Sequence, residues 1–63
     1  SDAETAMGYY LKAIIGARTN NLELLMNNLK SAIGKDASLK AKAASDREFI
    51  KFMANSDFSA IVG

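Results

Sequence analysis

MGYYLKAIIGARTNNLELLMNNLKSAI, residues 7–33, is the stretch that decides how this chain folds. Its large apolar residues fall at Met7, Leu11, Ile14, Ile15, Leu22, Leu25, Met26, Leu29 and Ile33. At about 100° per residue they share a stripe roughly 120° wide, the signature of an amphipathic helix. The phase survives from Met7 to Ile33. That favours one continuous or kinked helix, because a loop normally scrambles the phase. Positions 11, 15, 18, 22, 25 and 29 step by four and three, a heptad seam interrupted only by Arg18. Against continuity stand Thr19, Asn20 and Asn21, poor helix formers and good N-caps. Gly8 and Gly16 also weaken the first half, by roughly 1 kcal/mol each relative to Ala. A break near residue 20 is therefore the alternative.

Upstream, Ser1 and Glu4 form an S-x-x-E capping box with Asp2 in the first turn, so a helix is expected to start here. Downstream, Gly34 directly follows Ile33 and fits a left-handed helix stop. Asp36 can cap a second helix, in which Leu39, Ala43, Phe49, Ile50 and Met53 share one face and Lys40, Arg47 and Lys51 another. A second capping box, Ser45-x-x-Glu48, offers another start, with residues 37–44 loosely helical and a firm helix from Asp46. Asn55-Ser56-Asp57 reads as an end, or as the cap of a last turn holding Phe58, Ile61 and Val62.

The expected fold is thus all-α and a single domain over residues 1–63: a helical hairpin packed in an oligomeric bundle. Its long first helix is Ala3–Ile33, its turn Gly34–Asp36, its shorter second helix Ala37–Asn55, with a short C-terminal turn. Folding at residue 35 sets Leu29 near Ala41 and Leu22 near Glu48 or Phe49. It sets Arg18 beside Phe52, about 9 Å along the helix from Asp46 at 1.5 Å per residue.

Composition says why a partner is expected. A chain of 63 residues buries only roughly 60% of the surface its unfolded form exposes. Chains this small usually need a disulfide, a metal or a second subunit. There is no Cys, hence no disulfide, and no His, the commonest metal ligand and general base. Oligomerisation is the staple left. The absence of Pro and the abundance of Ala, Leu and Lys favour helices.

Eight basic and seven acidic residues leave a net charge of +1. Residues 1–35 carry four basic and three acidic side chains, and residues 36–63 four of each. This balance disfavours nucleic acid as partner, and is low for a helix driven onto anionic membranes. No apolar run approaches the ~18–20 residues of a membrane span, although association with a membrane surface stays open. No signal peptide is expected at the N-terminus. The start at Ser1 rather than Met reads as a processed, trimmed or excised product.

No cluster carries chemistry strongly. Arg18 sits near the centre of the first apolar stripe. It either snorkels out or marks a kink, or it meets a carboxylate of a partner chain. Tyr9, Leu24 and Phe52 lie off the main stripes and suggest a second contact surface. Gly8 and Gly16, the latter flanked by Ala13 and Ala17, could permit close helix approach. Lys40, Arg47 and Lys51, with Lys35 and Lys42 nearby, read as a solvated face interleaved with Asp36, Asp46 and Glu48. Asn20, Asn21, Asn27 and Asn28 could in principle read adenine but mostly lack basic neighbours. Asp46 and Glu48, two apart, do not share a helix face as an acid–base pair would. No glycine-rich phosphate loop and no metal-ligand spacing occur. No catalytic, cofactor-binding or metal residue is expected, and no enzyme.

The expected function is a non-enzymatic structural or assembly protein that self-associates into an oligomer or filament. Its interface would be Leu11, Ile15, Arg18, Leu22, Leu25, Leu29, Phe49, Ile50, Phe52 and Met53. A regulatory adaptor presenting a helix face to another protein chain is one alternative. A secreted membrane-active peptide, suggested by the apolar Gly8–Gly16 segment, is another. In outline the pattern resembles short helical-hairpin subunits of filaments, secretion needles and small bundles, a likeness of shape without a shared motif.

Overall fold

The three residues Thr19-Asn20-Asn21 turn out to organise the molecule. In the computed structural model, which describes residues 2–63 and the side chains from Glu4 onward, the first helix, α1, runs over Asp2–Arg18 and ends at this turn. Asn20 adopts a left-handed backbone with φ 56°. The Asn21 amide donates to the Gly16 carbonyl at 2.8 Å, and the Asn20 amide to that of Ala17 at 3.3 Å. These are the two reversed bonds of a Schellman stop, with Asn in the place usually taken by Gly. Asn21 then caps the next helix, α2 (Leu22–Lys35), its side chain accepting from the Leu24 amide at 3.1 Å. One residue stops a helix and its neighbour starts another.

The expected long first helix is therefore two helices, and the hairpin is α1 against α2 with its turn at residues 19–21. A continuous helix over Ala3–Ile33 would be about 46 Å long, longer than the 32 Å greatest extent of the fold. Gly34 does not stop α2. It lies inside the helix without a positive φ, and the chain leaves the helix after Lys35.

Asp36 accepts from the Ser38 amide and hydroxyl, at 3.0 and 2.6 Å, and so starts the third helix, α3 (Ser38–Ser45). The expected second arm, Ala37–Asn55, is broken as well. Asp46 is extended (φ −79°, ψ 127°) and its side chain accepts from the Glu48 amide at 3.0 Å. It caps a 3-10 helix over Arg47–Phe52. The Ser45 capping box does not form, and Ser45 instead bonds back to the carbonyls of Ala41 and Lys42. Asn55 caps the last helix, α4 (Ser56–Val62), by accepting from the Asp57 and Phe58 amides at 2.9 and 3.0 Å. The expected cap at Ser1 lies outside the described residues.

The protein is all-α. Its core joins Leu25, Leu29 and Ala32 of α2 to a face of α1 made of three alanines, Ala6, Ala13 and Ala17, and Tyr10. A Cβ on Gly16 would lie 2.5 Å from the Leu25 amide nitrogen and 3.0 Å from the Asn21 carbonyl oxygen. Backbone meets backbone there, and only glycine allows it. Gly8 has nothing within 4 Å of such a Cβ, so only one of the two glycines serves close approach. An aromatic row closes the other side. Tyr10 and Phe49 meet edge to face at 5.6 Å and 79°, and Phe49 and Phe58 at 5.6 Å. This row ties α1, the 3-10 helix and α4 together.

Candidate interaction surface

Burying the face of α1 that carries Ala6, Tyr10, Ala13 and Ala17 turns three of its large apolar residues outward. Leu11 and Ile15 are each 54% exposed and Met7 40%. Their spacing of four places them on one side of the helix, with Arg18 in line at the end. The circumference divides three ways. Gly16 faces α2, and Tyr10 meets Phe49 of the 3-10 helix. The sector holding Met7, Leu11 and Ile15 is open.

Ile50, at 68%, is the most exposed of the large apolar side chains. The 3-10 period explains it: three residues per turn set Phe49 and Phe52 on one edge and Arg47 and Ile50 on another. An α-helical period had grouped Ile50 with Phe49 and Met53.

The expected interface residues therefore separate. Leu25, Leu29 and Phe49 are fully buried within the chain. Leu22, Phe52 and Met53 are half-buried. Leu11, Ile15, Ile50 and Arg18 face solvent. Of the off-stripe residues, Tyr9 and Phe52 pack against the core from its margin, and Leu24 is half-buried.

Arg18 finds its carboxylate within the chain. Its Nε and Nη2 donate to the two oxygens of Glu48 at 3.0 and 2.6 Å, a fork-to-fork pair at the open edge of α1. This hydrogen bonding holds the Glu48 carboxyl below the usual carboxylate range. The mate is Glu48, neither Phe52 nor Asp46, because the break at Asp46 resets the register of the second half.

Asp46 is engaged by Tyr10, whose phenol donates to its Oδ2 at 2.5 Å. Burial first, then this carboxylate, push the Tyr10 phenol well above its ordinary value. Burial pushes the Asp46 carboxyl up, but the bonds from Tyr10 and the Glu48 amide, with the Lys42 charge, outweigh it and leave it lowered. Sequence reading missed this pair, 36 positions apart. The available signal was a Tyr amid small residues, which needs a polar partner once buried.

Several basic residues have partners within the chain. Lys42 lies 5.6 Å over the Tyr10 ring, Lys35 6.0 Å from that of Tyr9, and Lys51 donates to the Asn20 side chain at 2.9 Å. Of Asn20, Asn21, Asn27 and Asn28, three are likewise bound into local structure: Asn20 in the turn, Asn21 as a cap, and Asn28 donating to the Leu24 carbonyl. Among the described residues, no three His, Cys, Asp or Glu side chains gather to hold a metal ion. No helix among the described residues is long and apolar enough to cross a membrane. In comparisons with known proteins, no family model, no curated protein and no solved structure matches this chain.

Proposed function

We propose that this chain is a non-enzymatic assembly protein that self-associates into an oligomer or filament, with the open face of α1 as the contact. The observation that carries this reading is the stripe Met7, Leu11 and Ile15, large and apolar yet turned outward while Ala6, Ala13 and Ala17, with Tyr10, make the buried side of α1. A helix that buries small residues and exposes large ones loses hydrophobic stabilisation unless something covers the outer face. The contact is redrawn from the sequence expectation. Leu25, Leu29 and Phe49 are occupied within the chain, so Met7, Leu11 and Ile15 carry the association.

The test is molar mass by light scattering over a hundredfold concentration range at neutral pH. A rise from monomer to oligomer supports the reading. A constant monomer mass refutes it.

A second reading, the adaptor for a different protein, is favoured by one observation. The core closes within the chain, and no buried side-chain nitrogen or oxygen among the described residues lacks a hydrogen-bond partner. A fold that satisfies itself can exist as a monomer and offer the same face to another chain. It becomes the leading account if the mass stays monomeric.

A further inference from the structure

The open face of α1 has an internal symmetry. Glu4 and Arg18 stand seven residues either side of Leu11, and Met7 and Ile15 four residues either side. At about 100° per residue, Glu4, Met7, Leu11, Ile15 and Arg18 all fall within roughly 80° of the helix circumference. The face thus reads acid, apolar, apolar, apolar, base, with Leu11 at its midpoint.

We infer that the occupant of this face is a second copy of the chain, docked antiparallel about a twofold axis at Leu11. This deepens the self-association reading and rests on it. Reversing the face end for end sets Leu11 against Leu11 of the second copy and Met7 against its Ile15. It sets Glu4 against the second copy's Arg18, twice per pair. A twofold contact must be self-complementary in this way, with each position answered by its mirror about the centre. A parallel arrangement would oppose Glu4 to Glu4 and Arg18 to Arg18. The Arg18 side chain, 69% exposed, keeps further N–H groups to donate while it holds Glu48. Antiparallel docking also places the positive end of each α1 dipole beside the negative end of the other. A contact of this kind closes at two copies.

The chain has no Cys, so single cysteines carry spin labels without a background. Lys12→Cys on α1 and Thr19→Cys directly after it are suited, because both positions are exposed. The Thr19 amide still donates to the Ile15 carbonyl at 3.0 Å, which carries the helical path to residue 19 and puts the two positions at similar angles. Their lateral offsets from a partner helix are therefore alike, and only the axial offsets differ. In the antiparallel pair the axial separation is about 3 Å at position 12 and about 24 Å at position 19. Dipolar spectroscopy, at a concentration where light scattering reports a dimer, should give a position-19 distance roughly 10 Å or more beyond that at position 12. Equal distances in a dimer overturn the antiparallel pairing but leave self-association standing. A mass that grows past the dimer overturns the twofold closure. A monomer at every concentration, with no dipolar signal, overturns the self-association reading itself.

Discussion

Replacing Gly16 and Gly8 in turn by Ala makes the same chemical change twice on one helix, and the two outcomes should have opposite signs. Each substitution removes the backbone freedom of a helical glycine, worth about 0.8–1 kcal/mol in favour of the folded chain. At Gly8 the new methyl meets nothing within 4 Å, so that gain stands alone. At Gly16 it would lie 2.5 Å from the Leu25 nitrogen, 2.9 Å from the Leu25 Cα and 3.0 Å from the Asn21 oxygen. All three are backbone atoms and cannot rotate aside, so α1 and α2 must part by about an ångström to reach ordinary contact distance. Overpacking of this kind costs about 1–3 kcal/mol, and the separation also loosens Leu25 and Leu29 against the alanine face. The net expectation is a loss of about 1–2 kcal/mol at Gly16 against a gain of nearly 1 kcal/mol at Gly8. For a domain of this size that places the two midpoints about 10 °C apart or more. Thermal melts followed by far-ultraviolet circular dichroism, at low concentration to exclude association, read it directly. If both variants melt higher than the parent by similar amounts, α1 and α2 do not cross at Gly16 and the hairpin described here is wrong.

Four further outcomes are expected. Gly34→Ala should raise the melting temperature slightly, because the position is helical, in the last turn of α2, with open space around it; a fall would restore a left-handed stop there. Asn20→Gly should be neutral or stabilising, and Asn20→Ala should cost about 1 kcal/mol, since φ is +56° at that position; equal melting of the two variants would remove the Schellman stop. Leu11→Glu should leave the monomer's stability within about 0.5 kcal/mol. It should weaken the dimer by about 2 kcal/mol, roughly thirtyfold in Kd, from the half-exposed leucine of each copy; unchanged mass-versus-concentration curves would exclude α1 as the contact. Lowered Asp46 and Glu48 carboxyls mean that the unfolded chain takes up protons first, so stability should fall as pH drops below about 5. Tyr10, raised, has the opposite sign: its contribution is intact below about pH 10 and lost above. Asp46→Asn, which removes the charge, keeps one acceptor for the Glu48 amide and offers the Tyr10 oxygen a donor in place of an acceptor, should flatten the acid limb, and an unaltered limb would assign it elsewhere.

Local chemistry made several features legible from sequence. The helical class follows from composition and period, and Asn55 and Asp36 begin helices as their types suggest. The polar triplet at residues 19–21 signals a break, but the unbroken apolar phase points the other way. The phase was misleading because α1 is apolar round most of its girth, with Ala6, Ala13 and Ala17 on one side and Met7, Leu11 and Ile15 on another. A periodicity argument weighs bulk and so selects the large residues. The hairpin instead selects closeness of approach.

What the sequence by itself determines is which bonds can form between near neighbours. Caps, stops and helical period act over three or four residues and need no tertiary context. Which face of α1 goes inward is decided only when α2 folds back. The Gly16 crossing admits a second backbone just where alanines leave room. The pairs Arg18 with Glu48 and Tyr10 with Asp46 are decided at the same level. They span 30 and 36 positions and depend on where Asp46 breaks the chain into a 3-10 helix. Their register is set by the sum of every turn between them, so one misplaced turn moves every long-range partner, while the local bonds stay as they were.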